Sequence, residues 1–263
     1  MFGFDRTDYS MIYNFFRINL KDRYLASALG GIWAILNPII MLSIFTFIFG
    51  FVYRARLPGA TTTLSYVVWL ISGYGPWLAI SEGLLNSANS IVSNTGIVKN
   101  MAFKTEILPI SSVLISIIPL LVSLVFLTLI MIADHNRPSW EALMVIPVIA
   151  IMYFFMFGLG FFLSAVTVFL RDLAIVLPNI LMMILFVSPI FYTVESMPRP
   201  IQIASEFNPF YILTEGFRQP LVYHTIPNHL IYGLIYVSGI AALLYFFGLS
   251  RFRKIKGYFT SVI

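Results

Sequence analysis

Residue types that do covalent chemistry are sparse in this chain. Cysteine is absent, which excludes thiolate nucleophiles, thiolate metal sites and a disulfide framework. No G-x-x-x-x-G-K-S/T occurs, so the phosphate cradle that such a loop builds from backbone amides and one lysine is missing. No H-E-x-x-H is present, and His135, His224 and His229 are too dispersed to suggest a metal cluster. The acids ahead of the first long apolar run, Asp5, Asp8 and Asp22, form no carboxylate pair with a His/Arg cluster for metal or phosphate chemistry. Glu82 is the only acid inside a long apolar stretch. It marks either an ion or proton path or a carboxylate reaching headgroups and nearby polar groups.

What remains is recognition chemistry. The 25 Phe, 14 Tyr and 4 Trp make 16% of the chain. Trp33, Tyr66, Trp69, Tyr74, Trp77, Phe191 and Tyr192 are candidates for a sugar path, because the apolar C–H faces of sugars stack on aromatic rings. The alternative is an interfacial belt or lipid-facing bulk. Arg17, Lys21 and Arg23 cluster beside the first apolar run and could anchor passively on anionic lipid.

The elements that position these groups follow from composition. With 59% hydrophobic and 10% charged residues and a mean hydropathy of +0.91, the chain cannot solvate a globular surface. A soluble enzyme, a disordered regulator and a nucleic-acid binder are excluded, and the class is an all-α integral membrane protein. Since a span needs roughly 20 apolar residues, the charge-free runs predict six membrane helices, near 32–53, 64–85, 107–133, 142–170, 173–193 and 228–250. The run 83–98 is short and rich in Asn and Ser, and is assigned to a cytoplasmic loop, 86–106, with a short helix near 93–103. Segment 194–227 carries five prolines among apolar residues and reads as short re-entrant helices. Gly73, Gly75 and Pro76, Pro178 and Pro189, and Asn37-Pro38 are candidate kinks.

An even number of spans places both termini on one side. Eleven Lys and Arg residues, including every lysine, fall on that side against five on the other, so the termini are expected in the cytoplasm. The domains are then 1–31, a cytoplasmic segment holding an amphipathic interfacial helix over 11–24; 32–250, the membrane domain; and 251–263, a basic tail. The first apolar run starts too late and extends too far for a cleaved signal peptide.

In order along the chain, Arg23-Tyr24, Ser27-Ala28-Leu29-Gly30, Trp33, Asn37-Pro38, Glu106-Ile107-Leu108-Pro109, Phe169-Leu170-Arg171-Asp172, Ser188-Pro189-Ile190-Phe191-Tyr192 and Asn208-Pro209-Phe210 resemble the permeases of ABC-2 type polysaccharide exporters, most closely the O-antigen (Wzm-type) subunit. Leu170 stands where relatives often carry a second aromatic or basic residue. The resemblance implies one half of a transmembrane pore, completed by a second copy and driven by two separate ATPase subunits that hold ATP and Mg. It implies that Phe16, Asn94, Lys99, Phe103, Arg171 and Asp172 contact those subunits, that 198–218 forms short external helices, and that aromatics line a channel for a polyprenyl-diphosphate-linked glycan. No cofactor or metal is expected on this chain. Other readings are a capsule or teichoic-acid exporter, a small-molecule exporter of the same superfamily, a polyprenyl-lipid enzyme lacking its catalytic groups, and a membrane scaffold.

Overall fold

A computed structural model describes residues 5–22, 30–52, 63–100, 103–134 and 139–262. All regular structure among them is helical. Helix α1 spans Arg6–Asp22 and packs on α5, Ile107–Leu114. A 3-10 turn, Gly30–Ile32, leads into α2, Trp33–Phe45, which continues as a π-helical stretch over Thr46–Val52. Then follow α3, Thr63–Asn89; α4, Thr95–Asn100; α6, Ile117–Ala133; α7, Val145–Phe169; α8, Asp172–Val187; α9, Arg199–Glu206; α10, Pro209–Leu221; α11, Asn228–Ile255; and α12, Phe259–Val262.

Among the described residues four stretches are long and apolar enough to cross a membrane: Gly30–Val52, Ile107–Ala133, Trp140–Phe169 and Asn228–Val262. They carry apolar stripes turned away from the protein, such as Leu121, Val125, Leu129 and Ile132 on α6. Such a face is stable only against lipid or another apolar partner. Helix α3 is long but less apolar, and the reason is its place. It packs against α2, α5, α6, α7, α8 and α10, and from Tyr66 to Trp77 every side chain is buried. A helix enclosed by protein tolerates Ser72, Gly73 and Gly75 where a lipid-facing one would favour bulk.

Several sequence boundaries move. The helix expected over 173–193 ends at Val187, because Ser188 turns to extended backbone ahead of Pro189. Pro189 therefore ends a helix rather than kinking one, whereas Pro38, Pro76 and Pro178 lie inside theirs. The expected span 107–133 is broken between Leu114 and Ile117. The loop placed at 86–106 gives up its first residues to α3, which runs to Asn89, and its short helix is Thr95–Asn100 after a 3-10 turn at Val92–Asn94. The interfacial helix starts at Arg6 rather than 11, and the last long helix runs to Ile255 rather than 250. In 194–227 the short helices are α9 and α10.

The closest helix contact joins α7 and α11. A Cβ on Gly158 would stand 2.6 Å from the Tyr245 nitrogen, and one on Gly248 would stand 2.6 Å from the Gly158 carbonyl oxygen. Small residues that let backbones approach are how helices associate where lipid removes the hydrophobic drive.

Candidate functional site

The described residues form two polar ends, and every candidate among them belongs to one end or to the interior between. At the end holding α1, Lys104 Nζ donates to Asp8 Oδ2 at 2.6 Å. That hydrogen bond, with one from the Asp5 backbone N–H, holds the Asp8 carboxyl below its ordinary value. Phe15 stacks on Phe103 with ring centroids 5.6 Å apart. The α1 helix is thereby fastened to the segment that opens α5. Next to it Glu106, 1% exposed, accepts from Arg253 Nε and Lys256 Nζ, both at 3.0 Å. Burial raises its pKa, but a backbone hydrogen bond and the two cations outweigh burial and leave the carboxyl below its usual range. The start of α5 and the end of α11 are joined by that carboxylate.

Among the described residues every lysine, and every arginine except Arg199 and Arg218, lies at this end. Arg17 and Lys21 are exposed on α1, and Arg17 sits 5.7 Å above the Tyr13 ring; Arg23 lies outside the described residues. Phe16 is half-buried and is not the residue stacked on Phe103; Phe15 is, one position earlier. Asn94 donates from Nδ2 to the Ser90 carbonyl at 2.8 Å, ordering the turn before α4, and Lys99 is exposed on α4. Arg171 and Asp172 are exposed between α7 and α8. They share an end with α1 and α4.

At the opposite end the break after α8 leaves carbonyls that need donors at depth. Side chains of α3 and α10 supply them, and the α10 cap adds a bond to Ser188. Tyr66 on α3 donates its hydroxyl to the Phe191 carbonyl at 2.8 Å. Arg218 on α10, 1% exposed, donates to the carbonyls of Pro189, at 2.8 Å, and Ile190, forms an ion pair with Glu215 at 3.0 Å, and lies 3.8 Å over the Trp69 ring. Asn208 caps α10 by accepting from the Phe210 N–H at 3.0 Å, while its Nδ2 donates to the Ser188 hydroxyl at 2.9 Å. The Ser188–Phe191 turn is thus held by α3 and by both ends of α10. Gly73 makes room for the guanidinium, since a Cβ there would stand 2.4 Å from its Nη2.

The aromatic candidates gather around this turn. Tyr74 meets Phe45 at 4.4 Å, and Phe191 meets Phe45 at 5.0 Å, Phe49 at 5.4 Å and Tyr74 at 5.6 Å. Tyr66 and Trp69 are 5.7 Å apart, and Trp77 sets its edge on Phe210 at 5.6 Å. In the isolated subunit Tyr66, Trp69, Tyr74, Trp77 and Phe191 are buried in the interior, packed on one another rather than bordering open space. Trp33 and Tyr192 are half-buried, Trp33 at the α1 end. Sequence reasoning missed Phe45, Phe49 and Phe210 as members of the cluster, and the roles of Arg218, Glu106 and Asp8. A lone arginine three residues after a glutamate in an apolar helix was the available signal for Arg218. Among the described residues no group of three or more His, Asp or Glu could hold a metal.

The described residues form two fastened ends and a ring-rich interior. The O-antigen export system permease protein RfbA of Klebsiella pneumoniae is 28% identical over 246 residues, covering 93% of this chain and 92% of that protein. The RfbA permease of Myxococcus xanthus is 25% identical over 80% of this chain and 79% of its own length. The polysialic acid transport protein KpsM of Escherichia coli is 23% identical over 89% of each. The ABC-2 type transporter family matches residues 12–222, most of the chain and all of the α2–α10 framework. This chain belongs to the ABC-2 type transporter family.

Proposed function

We propose that this chain is the membrane permease subunit of an ATP-driven exporter of lipid-linked polysaccharide, of the O-antigen type, in a bacterial inner membrane. The observation that carries the proposal is likeness, over nearly the full length of both chains, to permeases named for O-antigen export. In this reading the chain crosses six times, with α3 and α8 added to the four apolar stretches, and two copies complete the pore. The basic end faces the cytoplasm, following the preference of Lys and Arg for that side. Two separate ATPase subunits hold ATP and Mg and push on α1, α4 and the Arg171-Asp172 turn. Nucleotide acts through its different affinity for closed and open arrangements of the pore. A polyprenyl-diphosphate glycan arrives at the cytoplasmic end, its diphosphate drawn to Arg17, Lys21 and Arg23. The buried rings of Phe45, Phe49, Tyr74 and Phe191 part to pass sugars across their faces.

The test is mass spectrometry of polyprenyl-linked glycans in cells depleted of the protein and in cells re-expressing it. Cytoplasmic accumulation of a finished lipid-linked polymer, reversed on re-expression, is the expected result. Normal levels of such glycans with intact surface polysaccharide would overturn the reading. The likeness to KpsM supports a capsule polymer as the second reading, and the identity of the accumulated glycan separates the two.

A further inference from the structure

A cavity of about 250 Å³ lies between α2, α3 and α6, and holds the one acid of the long apolar runs, Glu82. A charge at membrane depth is costly enough that its surroundings usually explain it. Here Glu82 and Asn86 stand one helical turn apart on the same face of α3, with Ser81 beside them and Asn37 facing them from the second turn of α2. The Ser81 hydroxyl donates to the Leu78 carbonyl at 3.1 Å, which leaves its oxygen lone pairs for an incoming donor. Asn86 Nδ2 is buried and has no hydrogen-bond acceptor among the described residues. An N–H held out of solvent in a polar pocket asks for an oxygen from elsewhere. The remaining wall is apolar, formed by Pro38, Met41 and Leu78.

These properties select a ligand. A carboxylate beside two amides repels a phosphate. The cavity is far larger than a monovalent cation, and a cation would leave the Asn86 N–H without an acceptor. It falls just below the roughly 300–1,000 Å³ of pockets for drug-sized molecules, which suits a single ring. A pyranose has a rim of hydroxyls that both donate and accept and a face of C–H groups, matching one polar and one apolar wall. Position agrees with chemistry: the turn Gly30–Ile32 touches α1, which carries Arg17 and Lys21, and Asn37 lies roughly 10 Å further along at 1.5 Å per residue.

We propose that this pocket receives the carrier-proximal sugar of the lipid-linked glycan, with Glu82, Asn86 and Asn37 bonding its hydroxyls while the diphosphate stays with the basic residues of α1. The proposal rests on the polysaccharide-export reading and extends it to one subsite.

The test uses the full chain in nanodiscs and two kinds of probe: a short-chain polyprenyl diphosphate without sugar, and the same lipid bearing one glucose or one N-acetylglucosamine. Wild-type protein is expected to bind a sugar-bearing probe about tenfold more tightly than the bare diphosphate, the equivalent of one or two net hydrogen bonds. Glu82→Gln and Asn37→Ala remove most of that difference and leave affinity for the bare lipid unchanged. Because Asn37 is exposed on α2, its variant keeps the test sound even where Glu82→Gln fails to fold. Arg17→Gln with Lys21→Gln weakens all probes alike. Equal binding of bare and sugar-bearing lipid by wild type would overturn the subsite while leaving the transport reading intact. So would loss of the sugar preference when sodium is exchanged for choline, which would make Glu82 a cation ligand. Failure of folded protein to bind any of the lipids would remove the lipid-linked substrate itself, and the subsite with it.

Discussion

Arg218 joins several elements at the end opposite α1. Its guanidinium satisfies two carbonyls released where α8 stops, pairs with Glu215 and covers Trp69. Replacing it with Met strands those acceptors and a partly buried carboxylate, so Arg218→Met is expected to destabilise by about 3–5 kcal/mol, read as a fall in apparent melting temperature of the detergent-purified protein. Gly73→Ala places a methyl against the same guanidinium and should destabilise the wild type. In the Arg218→Met background that penalty should largely vanish, and a double-mutant cycle measures the coupling. At the other end Glu106 and Asp8 both have lowered pKa values, the one held by two cations despite burial, the other by Lys104. Their stabilisation is present above the ordinary carboxylate values of 4.5 and 3.8 and disappears as pH falls through the lower folded values. Hydrogen exchange in α1 and the last turn of α11 should therefore accelerate on acidification below about pH 4.5, and Glu106→Gln should blunt the response in α11. None of these partnerships was readable in advance. Arg218 reaches carbonyls 28 and 29 residues away and a ring 149 residues away, and an i, i+3 glutamate was the only local hint.

Helix existence was legible and helix function less so. Charge-free length located α2, α6, α7 and α11 because a bilayer sets a minimum apolar run. For α3 the same rule found a helix without its setting, since a charge-free run reads alike whether lipid or protein surrounds it. The end of α8 was misplaced because Ser188-Pro189 resembles the middle of an apolar run until its backbone is seen to turn. The amphipathic pattern of α1 predicted a helix lying in the membrane plane, and the structure adds that α1 packs on α5. Periodicity pointed to an apolar series of Ile12, Tyr13, Phe16 and Leu20, and it could not show that the neighbouring Phe15 stacks on Phe103. Phe15→Ala should loosen α1 more than Phe16→Ala does, measured by protease accessibility of the N-terminal segment. Between α7 and α11 there is little to yield, because the two atoms nearest a Cβ on Gly158 are backbone and the third is the Leu244 Cβ. Gly158→Ala is expected to cost about 1–3 kcal/mol through overpacking and to reduce the fraction of protein recovered folded from membranes.

At the scale of the whole molecule, the described lysines and arginines gather at the end holding α1, apart from Arg199 and Arg218. The aromatic interior was legible as a composition, yet which rings meet depends on helix rotation. The gathering of Phe45 and Phe49 beside Phe191 follows from packing, and no spacing rule links residues so distant in sequence. One fastening also bears on how such a chain is made. Glu106 is synthesised early and buried, while its cations Arg253 and Lys256 come from the far end of α11 and beyond. Until those residues leave the ribosome, a nascent chain carries an acid with no counter-charge at the mouth of α5. A chain stopped short of Arg253 carries it permanently, and membrane proteases would meet it as unfinished. Removing residues 251–263 should thus shorten the lifetime of the protein in a pulse-chase measurement, and an epitope joined after residue 263 should leave that lifetime unchanged.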